Sequence, residues 1–291
     1  GSLASGEASF AFGYTQGSQK AIASGVGAVA FARSTAGALE SFAIGDGNVI
    51  ENGANQSFTF GQSNLIKGIG GNKYMNGAFG RFNVITGVVD YAFGSFNIID
   101  HANSVSIIQD EGGNLAVGLY NKVYSSGQTF AMGKSNIATK SAVGAAAIGE
   151  SNTVSYRASI ALGYNNTSSG YASTAVGFQN ISSSQASFAG GYQSDATNHN
   201  AFAYGNDAQA SGTNSIALGL ATKARGNESV AIGNLAETAS TATTAIALGY
   251  NVKANGPSSV AFGNGSVANG ESSFAMGINS TTASGSGSFA G

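Results

Sequence analysis

Residues 214–227 read NSIALGLATKARGN, and this stretch contains the pattern that decides the fold. Ile216 and Leu218 flank an alanine, and Gly219 ends the apolar run. Alternation of large and small apolar residues is typical of a β-strand, in which successive side chains point to opposite faces. Gly226 lies seven residues after Gly219 and indicates a second turn. The stretch therefore predicts one coil made of two short strands and two turns.

The same pattern recurs along the chain with a nearly fixed period. From residue 149 onward the glycine that ends each apolar run, here called the anchor glycine, recurs every 14 residues with one spacing of 16. These anchors are Gly149, Gly163, Gly177, Gly191, Gly205, Gly219, Gly233, Gly249, Gly263 and Gly277. The second glycine of the coil is present at Gly170, Gly212, Gly226, Gly256 and Gly270. So short a period indicates a solenoid of stacked coils rather than separate domains.

Before residue 149 the anchors are unevenly spaced, and the pattern Gly-x-x-Asn-x-Val/Ile dominates the first turn. Its asparagines are Asn48, Asn64, Asn83, Asn97 and Asn121. We interpret them as corner residues that replace glycine, because asparagine tolerates the left-handed conformation, and we expect the following Val or Ile to begin a strand. We predict one continuous solenoid, with irregular β-roll repeats and insertions over 1–148 and regular 14-residue repeats over 149–291.

Composition excludes several classes of protein. Charged residues are 9% of the 291, against about a quarter in ordinary soluble domains, and there are 44 glycines and one proline. A hydrophobic fraction of 42% is too high for a disordered chain. The net charge of −2 disfavours a nucleic-acid partner. Because glycine interrupts every half-coil, no helix is expected.

The thin coil predicts a two-sided roll with a core one residue thick, since two strands of about five residues span only about 17 Å. The alanine side of these strands forms a flat face of small residues with almost no charge. We interpret this face as the contact surface between parallel copies of the chain.

Coils such as NSIALGLATKARGN (214–227), ESVAIGNLAETAS (228–240) and SSVAFGNGSVANGE (258–271) resemble the head repeats of YadA-like trimeric autotransporter adhesins. The resemblance covers residues 149–291. It implies a left-handed parallel β-roll, a parallel homotrimer, and display at the bacterial cell surface, where the head binds host matrix or cell-surface ligands multivalently. We expect attachment to the outer membrane to be encoded outside this sequence. Since no neck motif or heptad stalk is present here, a structural or receptor-binding segment of a phage-like or tailocin fibre is the alternative.

We expect no catalytic, cofactor or metal site. His101 and His199 lie about seven coils apart and cannot share a site within one chain. Asp110 and Glu111 are adjacent, but they fall where the repeat is broken, and we interpret them as an exposed loop. The GGxGxD pattern of calcium-binding rolls is absent. The sequence therefore predicts a protein that is not an enzyme.

Aromatic residues and insertions are the candidate ligand contacts. Four aromatic residues follow an anchor glycine directly: Tyr164, Phe178, Tyr192 and Tyr250. Phe82 and Phe96 each lie two residues after a glycine. Such rings either face solvent and stack on sugars or a protein partner, or fill a corner or an interface between chains.

Two insertions are the remaining candidates, because loops that interrupt a uniform repeat can present contact residues that the repeat itself lacks. They lie at 68–74, with Lys73 and Tyr74, and at 109–114, with Asp110 and Glu111. The expected partners are two further copies of the chain and an extracellular protein or glycan ligand. We expect neither nucleic acid nor direct membrane insertion by these residues.

Overall fold

The computed structural model shows two compact units, Gly1–Arg157 (unit 1) and Ala158–Gly291 (unit 2). The residues that it describes are 1–13, 20–68, 75–100, 112–125, 127–278 and 282–291. Over these residues there is no helix, and the paired strands within each unit run parallel. The predicted all-β parallel β-solenoid with about 14 residues per turn is therefore confirmed. The division into 1–148 and 149–291 within one continuous solenoid stays a prediction.

The strands of unit 1 are β1 (Leu3–Ala4), β2 (Phe10–Phe12), β3 (Ile22–Ala23), β4 (Val29–Ala36), β5 (Phe42–Ile50), β6 (Phe58–Gln62), β7 (Leu65–Lys67), β8 (Gly77–Arg81), β9 (Val84–Thr86), β10 (Tyr91–Ser95), β11 (Ile98–Asp100), β12 (Leu115–Leu119), β13 (Lys122–Val123), β14 (Phe130–Lys134), β15 (Ile137–Ala138), β16 (Ala146–Glu150) and β17 (Thr153–Val154).

The strands of unit 2 are β18 (Ile160–Tyr164), β19 (Thr167–Ser168), β20 (Thr174–Phe178), β21 (Ile181–Ser182), β22 (Phe188–Tyr192), β23 (Asp195–Ala196), β24 (Phe202–Asn206), β25 (Gln209–Ala210), β26 (Ile216–Leu220), β27 (Lys223–Ala224), β28 (Val230–Asn234), β29 (Glu237–Thr238), β30 (Ile246–Tyr250), β31 (Lys253–Ala254), β32 (Val260–Asn264), β33 (Val267–Ala268), β34 (Phe274–Ile278), β35 (Thr282–Ala283) and β36 (Phe289–Ala290).

Each regular coil of unit 2 contains a five-residue long strand and a two-residue short strand. Long strands pair with long strands of the next coil, and short strands with short ones, so that β26 pairs with β28 and β27 with β29. The register places Ile216 beside Val230 and Gly219 beside Gly233. The second strand is shorter than the predicted five residues, because the wide turn at residues 225–229 takes up that part of the coil.

The alanine face lies inside the roll, so its predicted role as a contact between copies is wrong. Ala217 and Ala224 are fully buried within the chain, whereas Ile216 and Leu218 are 39% and 37% exposed. The physical reason is the thinness of the coil. The short strand also fills this narrow interior, with Ala224 here and with Ile85 or Ile99 in unit 1, so the long strand can bury only alanine and its large apolar residues point outward.

The asparagines of the Gly-x-x-Asn-x-Val/Ile pattern are core residues. The prediction that they replace glycine at left-handed corners is therefore wrong. Asn64 and Asn83 are fully buried and neither has a positive φ. The residues before them, Ser63 and Phe82, take the left-handed conformation with φ of 54° and 55°. The strand predicted to begin at the following Val or Ile is present but begins one residue earlier, since β7 starts at Leu65 and Ile66 is its second residue.

The buried asparagines of unit 1 form a hydrogen-bonded ladder along the coils. The Nδ2 group of Asn83 donates to Oδ1 of Asn64 at 3.0 Å and to the carbonyls of Phe79 and Gly94, both at 2.9 Å. Its own Oδ1 accepts from the backbone and side chain of Asn97. Each asparagine thus satisfies backbone groups at a corner that has no room for water.

Glycine is required at the two corners for different reasons. At Gly219 φ is +131°, and an added Cβ would lie 1.9 Å from the carbonyl oxygen of Gly233. Gly212 at the second corner has no positive φ, but its Cβ would lie 1.9 Å from the carbonyl oxygen of Gly226. The left-handed residue of that corner is Asn214, with φ of 57°. Glycine is therefore needed for its positive φ at the anchor, and for the close approach of the next coil at the second corner.

Candidate binding surfaces

The first candidate surface of unit 2 is the outer side of its long strands, here called the apolar face. It consists of the first and third residues of the long strands β18 to β34. These residues are Ile160, Leu162, Thr174, Val176, Phe188, Gly190, Phe202, Tyr204, Ile216, Leu218, Val230, Ile232, Ile246, Leu248, Val260, Phe262, Phe274 and Met276. None of them carries a charge, and in the single chain Tyr204 and Phe262 are 49% and 47% exposed.

Gly190 is the one glycine among the residues of the apolar face, and aromatic rings fill the gap that it leaves. An added Cβ at Gly190 would lie 2.8 Å from the Tyr204 ring and 2.9 Å from the Phe188 ring. The rings therefore occupy the space that a side chain would take. Phe188 also stacks on Phe202, with centroids 4.9 Å apart.

The corresponding surface of unit 1 is rich in phenylalanine. Phe60, Phe79 and Phe93 stack in sequence, with centroid distances of 5.4 and 4.7 Å and nearly parallel planes. Gly77 interrupts the neighbouring row, and the rings of Phe58 and Tyr91 fill the gap. Both units therefore present a band of large apolar side chains on the outside of their long strands.

Three of the predicted ligand-facing residues form a continuous stack. Tyr164 lies 5.1 Å from Phe178, and Phe178 lies 5.0 Å from Tyr192, with interplanar angles of 9° and 2°. Both tyrosines are more than two-fifths exposed. The structure therefore brings these three residues together at the surface, and we call them the ring stack. Since Phe178 lies between two rings, the edges of the stack and the outer faces of the tyrosines are what it offers to a ligand.

The predicted pair Phe82 and Phe96 also stacks, with centroids 4.9 Å apart. Tyr120 extends this second stack at 5.0 Å from Phe96, and the Arg81 guanidinium lies 4.7 Å from the Phe82 centroid. The sequence interpretation missed Tyr120, although it too lies two residues after an anchor glycine.

The remaining predicted contacts do not join these stacks. Tyr250 is 52% exposed and pairs in register with Asn234 and Asn264 rather than with another ring. Lys73, Tyr74, Asp110 and Glu111 lie outside the described residues. Whether any of the candidate residues contacts a ligand stays a prediction.

A polar groove lies on the short-strand side of the same coils as the ring stack. It has a volume of about 430 Å³. Its lining residues are Asn165, Thr167, Gln179, Ile181, Gln193, Asp195 and Asp207. The sequence interpretation missed this groove, although Asn165, Gln179 and Gln193 directly follow the three residues of the ring stack. The repeat places the four left-handed corner residues of consecutive coils in one row, namely Asn165, Gln179, Gln193 and Asp207.

Hydrogen bonds order part of this groove. Nε2 of Gln193 donates to Oε1 of Gln179 at 2.9 Å, and Nε2 of Gln209 donates to Oδ1 of Asp207 at 3.1 Å. Burial raises the pKa of the Asp195 carboxyl above its ordinary value of 3.8, and the nearby Asp207 carboxylate raises it further. The groove therefore combines amide groups with two carboxylates.

Comparison with known proteins identifies the repeat. The model of the YadA head domain repeat (2 copies) matches residues 157–180, 210–236, 240–266 and 254–280. The chain contains a YadA-like head domain. The matched segments cover much of unit 2, where the 14-residue register is regular, and the resemblance noted from the sequence is confirmed for that region. No curated protein matches the chain.

YadA-like heads are in general trimeric adhesins exposed on the cell surface. Within the described parts of the chain, no three His, Asp or Glu side chains are grouped as a metal site would require. None of the described residues belongs to a helix long and apolar enough to cross a membrane.

Proposed function

We propose that this chain is the head of a bacterial cell-surface adhesin, which acts by binding and not by catalysis. In this proposal three parallel chains associate through their apolar faces. The trimer then binds host matrix or cell-surface ligands, protein or glycan, at many equivalent positions along the coils. The observation that carries the proposal is the uncharged apolar face of unit 2, together with the YadA head repeats.

The apolar face supports association because it is costly to leave in water. Contiguous exposed apolar patches of more than a few hundred Å² mark interaction sites in soluble proteins. Each Leu, Ile or Phe that becomes buried between chains contributes on the order of 1 kcal/mol. Ile216 and Leu218 repeat as similar pairs in the coils before and after them, so parallel chains in register meet like residues at every step. The number three comes from the family.

The repeat supports multivalent binding. Equivalent residues recur every coil, and a trimer presents each row three times. Many weak contacts that engage together give an apparent affinity well above that of a single contact. This mode of binding requires no deep pocket, and it suits display at the bacterial surface outside the outer membrane.

Sedimentation equilibrium tests the assembly. We expect a mass of three times the 28.8 kDa chain. Leu218→Asp places a charge on the apolar face and should yield monomers, whereas Leu235→Asp is a matched control, because Leu235 is 45% exposed and lies at a left-handed corner outside the long strands, where an earlier coil has Asp207. Neither residue points into the roll, so circular dichroism should show the same strand content in both variants. A wild-type monomer, or equal effects of the two variants, would refute assembly through the apolar face.

Adhesion is measured separately with beads coated with the wild-type trimer. We expect the beads to bind host cells or extracellular matrix, and beads coated with the Leu218→Asp variant to bind far less. A stable trimer that adheres to no surface would contradict the adhesin proposal. It would favour the alternative, a structural segment of a phage-like fibre.

A further inference from the structure

We propose that the polar groove of unit 2 binds an uncharged glycan chain that runs along the coils. This inference rests on the proposed adhesin function and assigns it one ligand class and one site. The groove lies across consecutive coils and presents a similar polar row at each step. A polymer with repeating hydroxyl groups matches such a row better than a ligand with a single polar group.

The side chains of the groove suit hydroxyl groups as partners. Amide side chains both donate and accept hydrogen bonds, and carboxylates accept them, so Asn, Gln and Asp together can bind the donors and acceptors of a sugar hydroxyl. The Gln179–Gln193 hydrogen bond fixes the orientation of both amides. Within the described residues, the side chains of Asn165, Thr167 and Asp195 have no hydrogen-bond partner and face the groove.

Charge selects among glycans. Asp195 and Asp207 give the groove negative charge, and its lining contains no Lys, Arg or His. Sulfated or sialylated glycans would meet carboxylates without a compensating cation, which disfavours their binding. The groove therefore favours an uncharged glycan over an anionic one.

The ring stack supports the same ligand class. Its residues directly precede the three amide residues of the groove, so each of these coils supplies one ring and one amide. Aromatic rings beside polar groups are typical of ligand sites in which the apolar and polar sides of a molecule are both recognised. The groove shares no residue with the apolar face, so the proposed assembly surface and the proposed glycan site consist of different side chains.

Binding is tested on the full chain with an array of uncharged oligosaccharides of glucose, galactose, mannose and N-acetylhexosamines. Heparin, oligosialic acid, oligolysine and a collagen-like peptide are included as competing ligand classes. The double variant Gln179→Ala/Gln193→Ala removes two amides without straining the corner, because Ala221 already occupies the same left-handed slot. Its matched control is Asn251→Ala, since Asn251 follows Tyr250 in the same slot but lies outside the groove.

We expect the wild type to bind at least one uncharged oligosaccharide. Because each lost hydrogen bond to a ligand weakens binding several-fold, the double variant should bind at least about tenfold more weakly. The Asn251→Ala variant should bind like the wild type. No binding to uncharged sugars, binding confined to the anionic, cationic or peptide probes, or equal affinity of both variants would each overturn the inference.

Bead adhesion separates this inference from the proposed function. If wild-type beads adhere to cells and the double variant adheres equally well, the groove is not the adhesive site, and the adhesin function stands. If wild-type beads do not adhere at all, the proposed function itself fails. The loss of both sugar binding and adhesion in the double variant alone supports both proposals.

Discussion

The buried asparagines should stabilise the roll through their side-chain hydrogen bonds, and Asn180 gives the clearest test. Its Nδ2 group donates to Oδ1 of Asn166 at 3.0 Å and to the carbonyls of Val176 and Gly191, both at 2.9 Å. Its Oδ1 accepts from the backbone amide of Ser194 at 2.8 Å. Asn180→Ala removes four hydrogen bonds inside a fully buried corner.

A net contribution of about 1 kcal/mol for each bond predicts that the variant loses about 3–4 kcal/mol of local stability. Because stability in solenoids varies along the array, hydrogen exchange read by mass spectrometry suits the test better than one global unfolding curve. With tenfold for every 1.4 kcal/mol, the protection of amides in β20 and β22 should fall by a factor of several hundred.

The matched control lies three coils further along. Thr222 occupies the same slot and is fully buried, but its hydroxyl has no hydrogen-bond partner in the described part of the chain. Thr222→Ala removes an unpaired hydroxyl, which favours stability, and a buried methyl group, which opposes it by a similar amount, so protection in β26 and β28 should change little. Asn180→Ser should be intermediate, since Ser194 occupies this slot naturally. If Asn180→Ala lowers protection no more than Thr222→Ala, the asparagine bonds do not stabilise the fold.

Three further predictions concern other parts of the coil. Gly219→Ala should destabilise the protein by more than about 3 kcal/mol, because the new Cβ would collide with the Gly233 carbonyl oxygen. Gly144→Ala is the control and should cost about 1 kcal/mol, because φ there is +68° but no atom lies near. Similar thermal midpoints for the two variants would contradict this prediction. Burial, and to a lesser extent the neighbouring Asp207 carboxylate, raise the pKa of Asp195, so the folded state binds the Asp195 proton more tightly than the unfolded state does. The stability that this protonation contributes is therefore present at low pH and is lost as pH rises through the raised pKa. Asp195→Asn should therefore be more stable than the wild type at pH 7, and chemical denaturation should show this advantage disappearing below pH 3.8; an advantage independent of pH would count against the assignment. The ion pair of Arg225 with Glu237 is partly exposed, so Arg225→Ala should lower the free energy of unfolding by less than about 1 kcal/mol, and less still in high salt; a larger, salt-independent loss would show that the side chain stabilises by packing.

The candidate binding surfaces were only partly predictable. The spacing of Tyr164, Phe178 and Tyr192 by one period is enough to predict a row, and the structure shows the rings in contact. The same period applies to Asn165, Gln179 and Gln193, but polar residues at corners are expected everywhere in such a chain and did not stand out. That they line a groove depends on the conformation of four consecutive corners.

The sequence by itself determines the repeat, the parallel strands and the places of the anchor glycines, because these depend on local periodicity and on the conformational freedom of glycine. It does not determine which side of the strand faces inward. Alternation separates Ala217 from Ile216 and Leu218 but is the same for both orientations. Only the tertiary structure decides, since the long strand contributes alanine to a thin interior that short-strand and ladder residues such as Ile85 and Asn83 already fill, and its own large residues must point outward. The tertiary structure also decides the role of the asparagines. The backbone carbonyls beside them are enclosed and have no access to water, so buried asparagine side chains donate hydrogen bonds to them and form a ladder.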